Sequence, residues 1–258
     1  AAQHRHRAVD RQAGHIAGQV IERAGVGIDN IDVAFAKEQN IAVLNTPTGN
    51  SIAAAELAFG LMLSLARKIP WAHEHVKNGH WVRTEFIGLE LAHKTLGLMG
   101  FGNVGKLIAK RALAFDMKVI AFDPMVSEEI FLENGVKSVG MDELLALSDI
   151  LSLHCALNDT TRNILNFSSL AKSKPGLLLI NTARGELIED QALIKALDQG
   201  QVALAALDVF KKEPPSPDDP LIHHKKILTT LHLGASTKEA QLKVSSMLAE
   251  QVIAFFKA

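Results

Sequence analysis

The 258 residues are enough for one large or two modest domains with well-formed cores. A formal charge of −1 excludes a global field that would gather nucleic acid or an anionic membrane, so neither partner is expected. With 48% hydrophobic residues, 5% aromatics and one cysteine, Cys155, the composition excludes a disulfide scaffold and fits an Ala/Leu/Val core in a reducing compartment, the cytoplasm.

Residues 1–20 show no helical or strand period. Ala1–Gln12 carries Arg5, Arg7 and Arg11 without an apolar block, so it is no secretory signal. No apolar run approaches the ~18–20 residues that cross a bilayer. Arg23–Asp32 is rich in Gly and Asp, and an amphipathic stretch Val33–Glu38 and a short strand Ile41–Leu44 follow. Ser51–Lys68 reads as a long helix closed by Arg67, Lys68 and Pro70; it is apolar enough to require burial against a sheet domain or a second subunit. His73, Glu74, His75 and His80 come next. Side chains two apart on a helix diverge, so no metal site is expected there.

From Thr95 onward apolar, branched runs alternate with helical patterns. Strands are predicted at Thr95–Met99, Lys118–Phe122, Ile150–His154, Leu177–Asn181, Ala203–Leu207 and Ile227–Thr230. A helix over Val104–Phe115 places Val104, Leu107, Ile108, Ala112 and Phe115 on one stripe, and a second over Glu189–Leu197 ends at Gly200. A last helix, Thr237–Phe256, repeats Leu242, Val244, Met247, Leu248, Val252 and Phe256. Six strands joined by helices predict an α/β fold with a doubly wound parallel sheet.

Gly100-Phe101-Gly102-Asn103-Val104-Gly105 sits between the first of these strands and its helix. G-x-G-x-x-G alone is a weak signal; directly after a strand and opening a helix it reads as a dinucleotide pyrophosphate loop. Gly100 permits the turn, Gly102 lets the pyrophosphate approach the backbone, and Gly105 lets helix and strand pack closely. The helix N-terminus then offers N–H groups and partial positive charge. Asp123, at the end of the next strand, suits the ribose hydroxyls and repels a 2′-phosphate, so NAD is expected rather than NADP.

Arg184, Asp208 and His232 each follow a predicted strand, and Glu213 lies shortly after Asp208. Open α/β sheets bind ligands at such strand ends. A guanidinium holds a carboxylate bidentately, an imidazole takes a hydroxyl proton, and a carboxylate bonded to the imidazole orients it. Taken singly, each of these residues is most often solvated or capping. Together they suit interconversion of a 2-hydroxy acid and its keto acid.

Three segments, Asn181-Thr-Ala-Arg-Gly-Glu-Leu-Ile-Glu-Asp190, Ala206-Leu-Asp-Val-Phe210 with Glu213-Pro214, and His232-Leu-Gly-Ala-Ser-Thr237, resemble motifs of the D-isomer-specific 2-hydroxyacid dehydrogenase family. Arg23-Ala-Gly-Val-Gly-Ile-Asp-Asn-Ile-Asp32, Asn45-Thr-Pro-Thr-Gly-Asn50 and Ser236-Thr-Lys-Glu-Ala-Gln241 are similar to its subgroup that oxidises 3-phospho-D-glycerate at the start of serine synthesis. The resemblance implies Arg184 as carboxylate binder, His232 as acid/base and Glu213 as its partner. It also implies NAD contacts from Asn103, Val104, Asp123, Cys155, Thr182, Ala183, Arg184, Asp208, His232, Gly234 and Ala235. Residues 46–236 would form the cofactor domain, 1–45 a remnant of the substrate domain, and 237–258 a helix returning to it. The long helix at Ser51–Lys68 would pack in a homodimer or higher homo-oligomer.

Three departures from the family pattern stand out. Leu231 replaces the usual proline before the histidine, Cys155-Ala156 replaces a usual Thr-Pro, and only about twenty residues precede the Arg23 motif. No regulatory domain follows Ala258, so serine feedback of that type is not expected. The alternatives to phosphoglycerate oxidation are reduction of glyoxylate or hydroxypyruvate, and NAD binding without turnover.

Overall fold

Parallel strands buried on both faces carry nearly continuous apolar sequence. The runs Leu-Gly-Leu-Met, Ile-Leu-Ser-Leu and Leu-Leu-Leu-Ile-Asn have this character, and they form the centre of a parallel sheet. The structure is a computed structural model that describes residues 19–257, so the basic Ala1–Gln12 segment lies outside the described residues. The described chain packs as two units, residues 19–51 with 235–257 and residues 52–234.

The first unit begins with β1 (Val20–Arg23), α1 (Val33–Glu38) and β2 (Ala42–Asn45), in which β1 and β2 pair in parallel. The second unit opens with α2 (Ser51–Ala66), α3 (Ile69–Lys77), β3 (Thr95–Met99), α4 (Asn103–Leu113) and β4 (Lys118–Phe122). It continues with α5 (Glu128–Glu133), β5 (Lys137–Ser138), α6 (Met141–Leu147), β6 (Ile150–Leu153), α7 (Phe167–Leu170) and β7 (Leu177–Asn181). It closes with α8 (Asp190–Asp198), β8 (Val202–Leu207), α9 (Pro220–His223) and β9 (Ile227–Thr229), after which α10 (Lys238–Lys257) returns to the first unit.

Seven parallel strands run in the order β5-β4-β3-β6-β7-β8-β9. The chain winds outward from β3 to β5, returns to β6 beside β3, and winds outward again to β9. Strand order therefore reverses between β3 and β6, which is where such sheets open a crevice for a ligand. Alternate residues feed two cores, one on each face. Leu96, Leu98, Ile150, Leu178 and Ile180 pack beneath α2 and α4, whereas Met99, Leu151, Leu153, Leu177 and Leu179 join Leu144, Leu193 and Leu197 of α6 and α8.

Differences from the sequence reading have local causes. The seventh strand, β5, is two exposed residues at the sheet edge, too short and polar to carry an apolar pattern. The helix expected over Ser51–Lys68 stops at Ala66 because Lys68 turns left-handed (φ +52°) and Pro70 starts α3. Its apolar side, Ala55, Ala58, Leu61, Met62 and Leu65, is buried in the core of its own unit. Ile41, His154 and Thr230 lie just outside their strands, and Phe115 lies beyond the end of α4, exposed but edge-on to Phe59 at 4.9 Å. In α10 the expected stripe is only partly inward. Ala240 and Val244 are buried, and Gly49 leaves room for Val244, but Leu242 and Phe256 face solvent.

Candidate active site

The loop after β3 is built by its glycines. Gly100 has φ +98°, and a Cβ there would lie 2.5 Å from the Cys155 nitrogen. A Cβ on Gly105 would lie 2.5 Å from the Gly100 carbonyl oxygen. Both are therefore required by the protein itself. Gly102 is different, because a Cβ there meets nothing within 4 Å. The space beside Gly102, which as N-cap of α4 carries no side chain of its own, is one that a pyrophosphate would fill. Asp123 follows β4 and accepts from the Phe101 N–H (2.8 Å) and the Met125 N–H (3.0 Å), tying the acid to the loop.

At the end of β7 a second loop is set by Asn181, which is 1% exposed. Its side chain accepts from the Ala183 N–H (3.0 Å) and donates to the Arg184 carbonyl (2.8 Å), bracketing Thr182, Ala183 and Arg184. The half-buried Arg184 donates to the Ala183 carbonyl at 2.6 Å. The Thr182 hydroxyl is buried without a hydrogen-bond partner, a polar atom suited to a bound ligand. A Cβ on Gly185 would lie 2.2 Å from the Phe210 carbonyl carbon, so this glycine lets the arginine loop press against the segment leading to Glu213.

The third group follows β8 and β9. His232 Nδ1 lies 2.6 Å from Glu213 Oε2, and Glu213 Oε1 accepts from the Phe210 N–H at 3.1 Å. The carboxylate is thus held at both oxygens, and the ring nitrogen Nε2 remains for another partner. His232 adopts a left-handed conformation (φ +55°), and its N–H donates to the Asp208 carbonyl at 2.8 Å. Parallel neighbours β7, β8 and β9 deliver Arg184, Asp208 and His232 to one edge of the sheet, and Glu213 reaches back to the imidazole. Gly234 is buried against Ala54, and Ala235 follows it.

Behind the glycine loop lie His154 and Cys155. Burial pushes the His154 imidazole down to about 3, and its Nε2 lies 2.7 Å from Ser152 Oγ. Burial also pushes the Cys155 thiol up to about 11, and the charge of Asp123 adds to this, so Cys155 is a packed thiol rather than a nucleophile. His154 has a consequence for stability. Below about pH 6.5 the unfolded chain takes up a proton that the folded chain refuses until about pH 3. His154 should therefore contribute a loss of about 1.4 kcal/mol per pH unit across that window. Denaturant titrations at several pH values should show this contribution in the parent and not in His154→Gln. Equal acid slopes in the two proteins would contradict it.

Other sequence features take structural parts. Asn158 and Asn166, each in a glycosylation-type sequence, organise a turn and cap α7. His75 makes tilted ring contacts with His80 (5.0 Å) and Phe86 (4.9 Å), and no group of three or more His, Cys, Asp or Glu among the described residues could hold a metal. The sequence reading missed the side-chain work of Asn181 and Thr230. An Asn ending an apolar strand before a turn is a recognisable signal, whereas nothing local marked Thr230.

Residues 59–234 match the family model for the D-isomer specific 2-hydroxyacid dehydrogenase, NAD binding domain. D-3-phosphoglycerate dehydrogenase of Archaeoglobus fulgidus is 47% identical over 235 residues, 91% of this chain and 45% of that protein. The chain spans a little under half the length of this and similar curated relatives. Among solved structures, a glyoxylate reductase from Paecilomyes thermophila superposes with a TM-score of 0.86 at 37% identity, covering 92% of this chain and 71% of that one. A D-lactate dehydrogenase from Aquifex aeolicus, complexed with NAD and lactic acid, gives 0.85 at 30% identity, covering 93% and 76%. With residues 59–234 matching the family model and relatives 43–47% identical over more than nine-tenths of its length, the chain belongs to the D-isomer specific 2-hydroxyacid dehydrogenases.

Proposed function

We propose that the chain carries the cofactor and proton-transfer machinery of an NAD-dependent D-2-hydroxyacid dehydrogenase that oxidises 3-phospho-D-glycerate to 3-phosphohydroxypyruvate. The observation that supports this most is the His232–Glu213 pair at 2.6 Å on the sheet edge that also bears Arg184. Gly100, Gly102, Asn103, Val104 and Gly105 would hold the pyrophosphate, and Asp123 the adenine ribose. Cys155, Thr182, Ala183, Asp208, Gly234 and Ala235 would line the remainder. NAD, when bound, supplies the acceptor for the hydride leaving C2.

Arg184 binds the substrate carboxylate through its planar fork and fixes the direction in which C2 points. His232 Nε2 accepts the C2 hydroxyl proton as the carbon is oxidised and returns it in the reverse direction. Glu213 holds Nδ1, so the ring cannot turn its other nitrogen to the substrate, and the carboxylate stabilises the imidazolium that forms. Residues 46–236 act as the cofactor domain in this reading, with 1–45 and 237–258 contributing to substrate binding. The exposed Ile69, Val76, Trp81, Val82 and Ile87 suit a homodimer contact beside α2. No helix among the described residues is long and apolar enough to cross a membrane, and a reducing cytoplasm suits the lone cysteine.

NADH formation or consumption across hydroxy and keto acids tests the assignment. Preference for phosphoglycerate over glycerate, and for phosphohydroxypyruvate over hydroxypyruvate and glyoxylate, is expected. Equal rates with phosphorylated and unphosphorylated substrates would favour the reductase reading, which the similarity to the Paecilomyes thermophila glyoxylate reductase supports. NAD binding without turnover of any of them would leave a cofactor-binding module.

A further inference from the structure

The turn that presents His232 is held by one buried residue. Asp208, 0% exposed at the end of β8, accepts from Thr230 Oγ1 (2.5 Å) and the Leu233 N–H (2.8 Å) on one oxygen, and from the Gly234 N–H (3.1 Å) on the other. Its carbonyl accepts from the His232 N–H (2.8 Å), and its own N–H donates to the Asn181 carbonyl (2.9 Å). Four residues of the 230–234 turn thus converge on Asp208, and Leu231, 86% exposed, is the one that does not.

His232 needs this anchoring. Its φ of +55° is a conformation that side-chain-bearing residues seldom adopt without surrounding restraint. Leu231 cannot supply the stiffness that a proline ring would give. Three of the roughly four lone-pair positions of the Asp208 carboxylate are occupied by the turn, so its first task is to hold that turn. A buried carboxylate and its donors are costly to separate, which makes the arrangement rigid.

We propose that Thr230 and Asp208 are positioning residues: the hydroxyl–carboxylate bond locks the left-handed turn and so sets the His232 imidazole against Glu213. The proposal rests on His232 acting as the proton acceptor. It assigns Asp208 to proton-transfer geometry ahead of cofactor affinity.

Thr230→Val and Thr230→Ser test it in the full chain. Valine keeps the shape and removes the donor; serine restores the donor. Amide exchange at His232, Leu233 and Gly234 of the cofactor-free protein should quicken at least about tenfold in Thr230→Val, with β6 and β7 amides unchanged. In the same variant kcat should fall about 10- to 100-fold, while KM for the hydroxy acid and Kd for NAD stay within about twofold. Thr230→Ser should recover both the exchange rates and kcat. Unchanged exchange and kcat in Thr230→Val would overturn the proposal. So would an NAD affinity lost in proportion to kcat, which would make cofactor binding, rather than the placement of His232, the main task of Asp208. If the parent shows no turnover, the functional reading fails, and the exchange rates alone still decide whether the bond holds the turn.

Discussion

Replacing His232 by Asn should lower kcat by about 10²- to 10⁴-fold, the range of a positioned general base, while leaving NAD affinity within about twofold. Asparagine suits the test physically. It tolerates the left-handed conformation at this position (φ +55°) better than most residues, and its amide can donate to Glu213. It has no nitrogen that accepts a proton near neutral pH. The glycine loop lies after β3, whereas His232 follows β9 at the far edge of the sheet, so the pyrophosphate site should be unaffected. Steady-state rates beside calorimetric NAD titration separate the two effects. Loss of NAD binding with the rate would make His232 a structural or cofactor-holding residue.

Two glycines in the phosphate loop should fail in opposite ways. Gly102→Ala meets no protein atom within 4 Å, so its melting temperature should stay close to the parent's. Its methyl group would occupy the space the pyrophosphate needs, and NAD affinity should fall at least about tenfold, or about 1.4 kcal/mol. Gly100→Ala instead drives a Cβ to 2.5 Å from the Cys155 nitrogen in a backbone conformation of φ +98°. Strain and overpacking there should cost about 2–4 kcal/mol of stability. Thermal melting and NAD titration of both variants read the contrast. Full NAD affinity in Gly102→Ala would remove the main structural argument for where the dinucleotide lies.

The sheet was legible because its strands announce themselves. Leu177–Asn181 and Lys118–Phe122 are apolar runs between helical patterns, and burial on both faces demands that composition. β5 was not legible, since two edge residues, Lys137 and Ser138, bury no apolar side chain. In α10 the apolar positions follow a helical spacing on more than one side, and only packing decides that Val244 is inward and Leu242 outward. The site divides in the same way. Arg184 and His232 could be picked out because they stand at strand ends, and Gly100–Gly105 because glycine spacing has a local steric meaning. The His232–Glu213 bond joins residues 19 apart and needs a left-handed turn at His232 that has no local sequence signal. The Asp208–Thr230 bond spans 22 residues and depends on β8 and β9 lying side by side.

The most direct measurement of the central claim follows a single hydrogen. The full chain would be given NADH carrying deuterium on the transferring face of nicotinamide C4, together with phosphohydroxypyruvate. The product would then be analysed by mass spectrometry and chiral separation. Deuterium is expected at C2 of the D-hydroxy acid, at a rate that collapses in His232→Asn. Binding of the reduced cofactor with no label reaching any keto acid would contradict it.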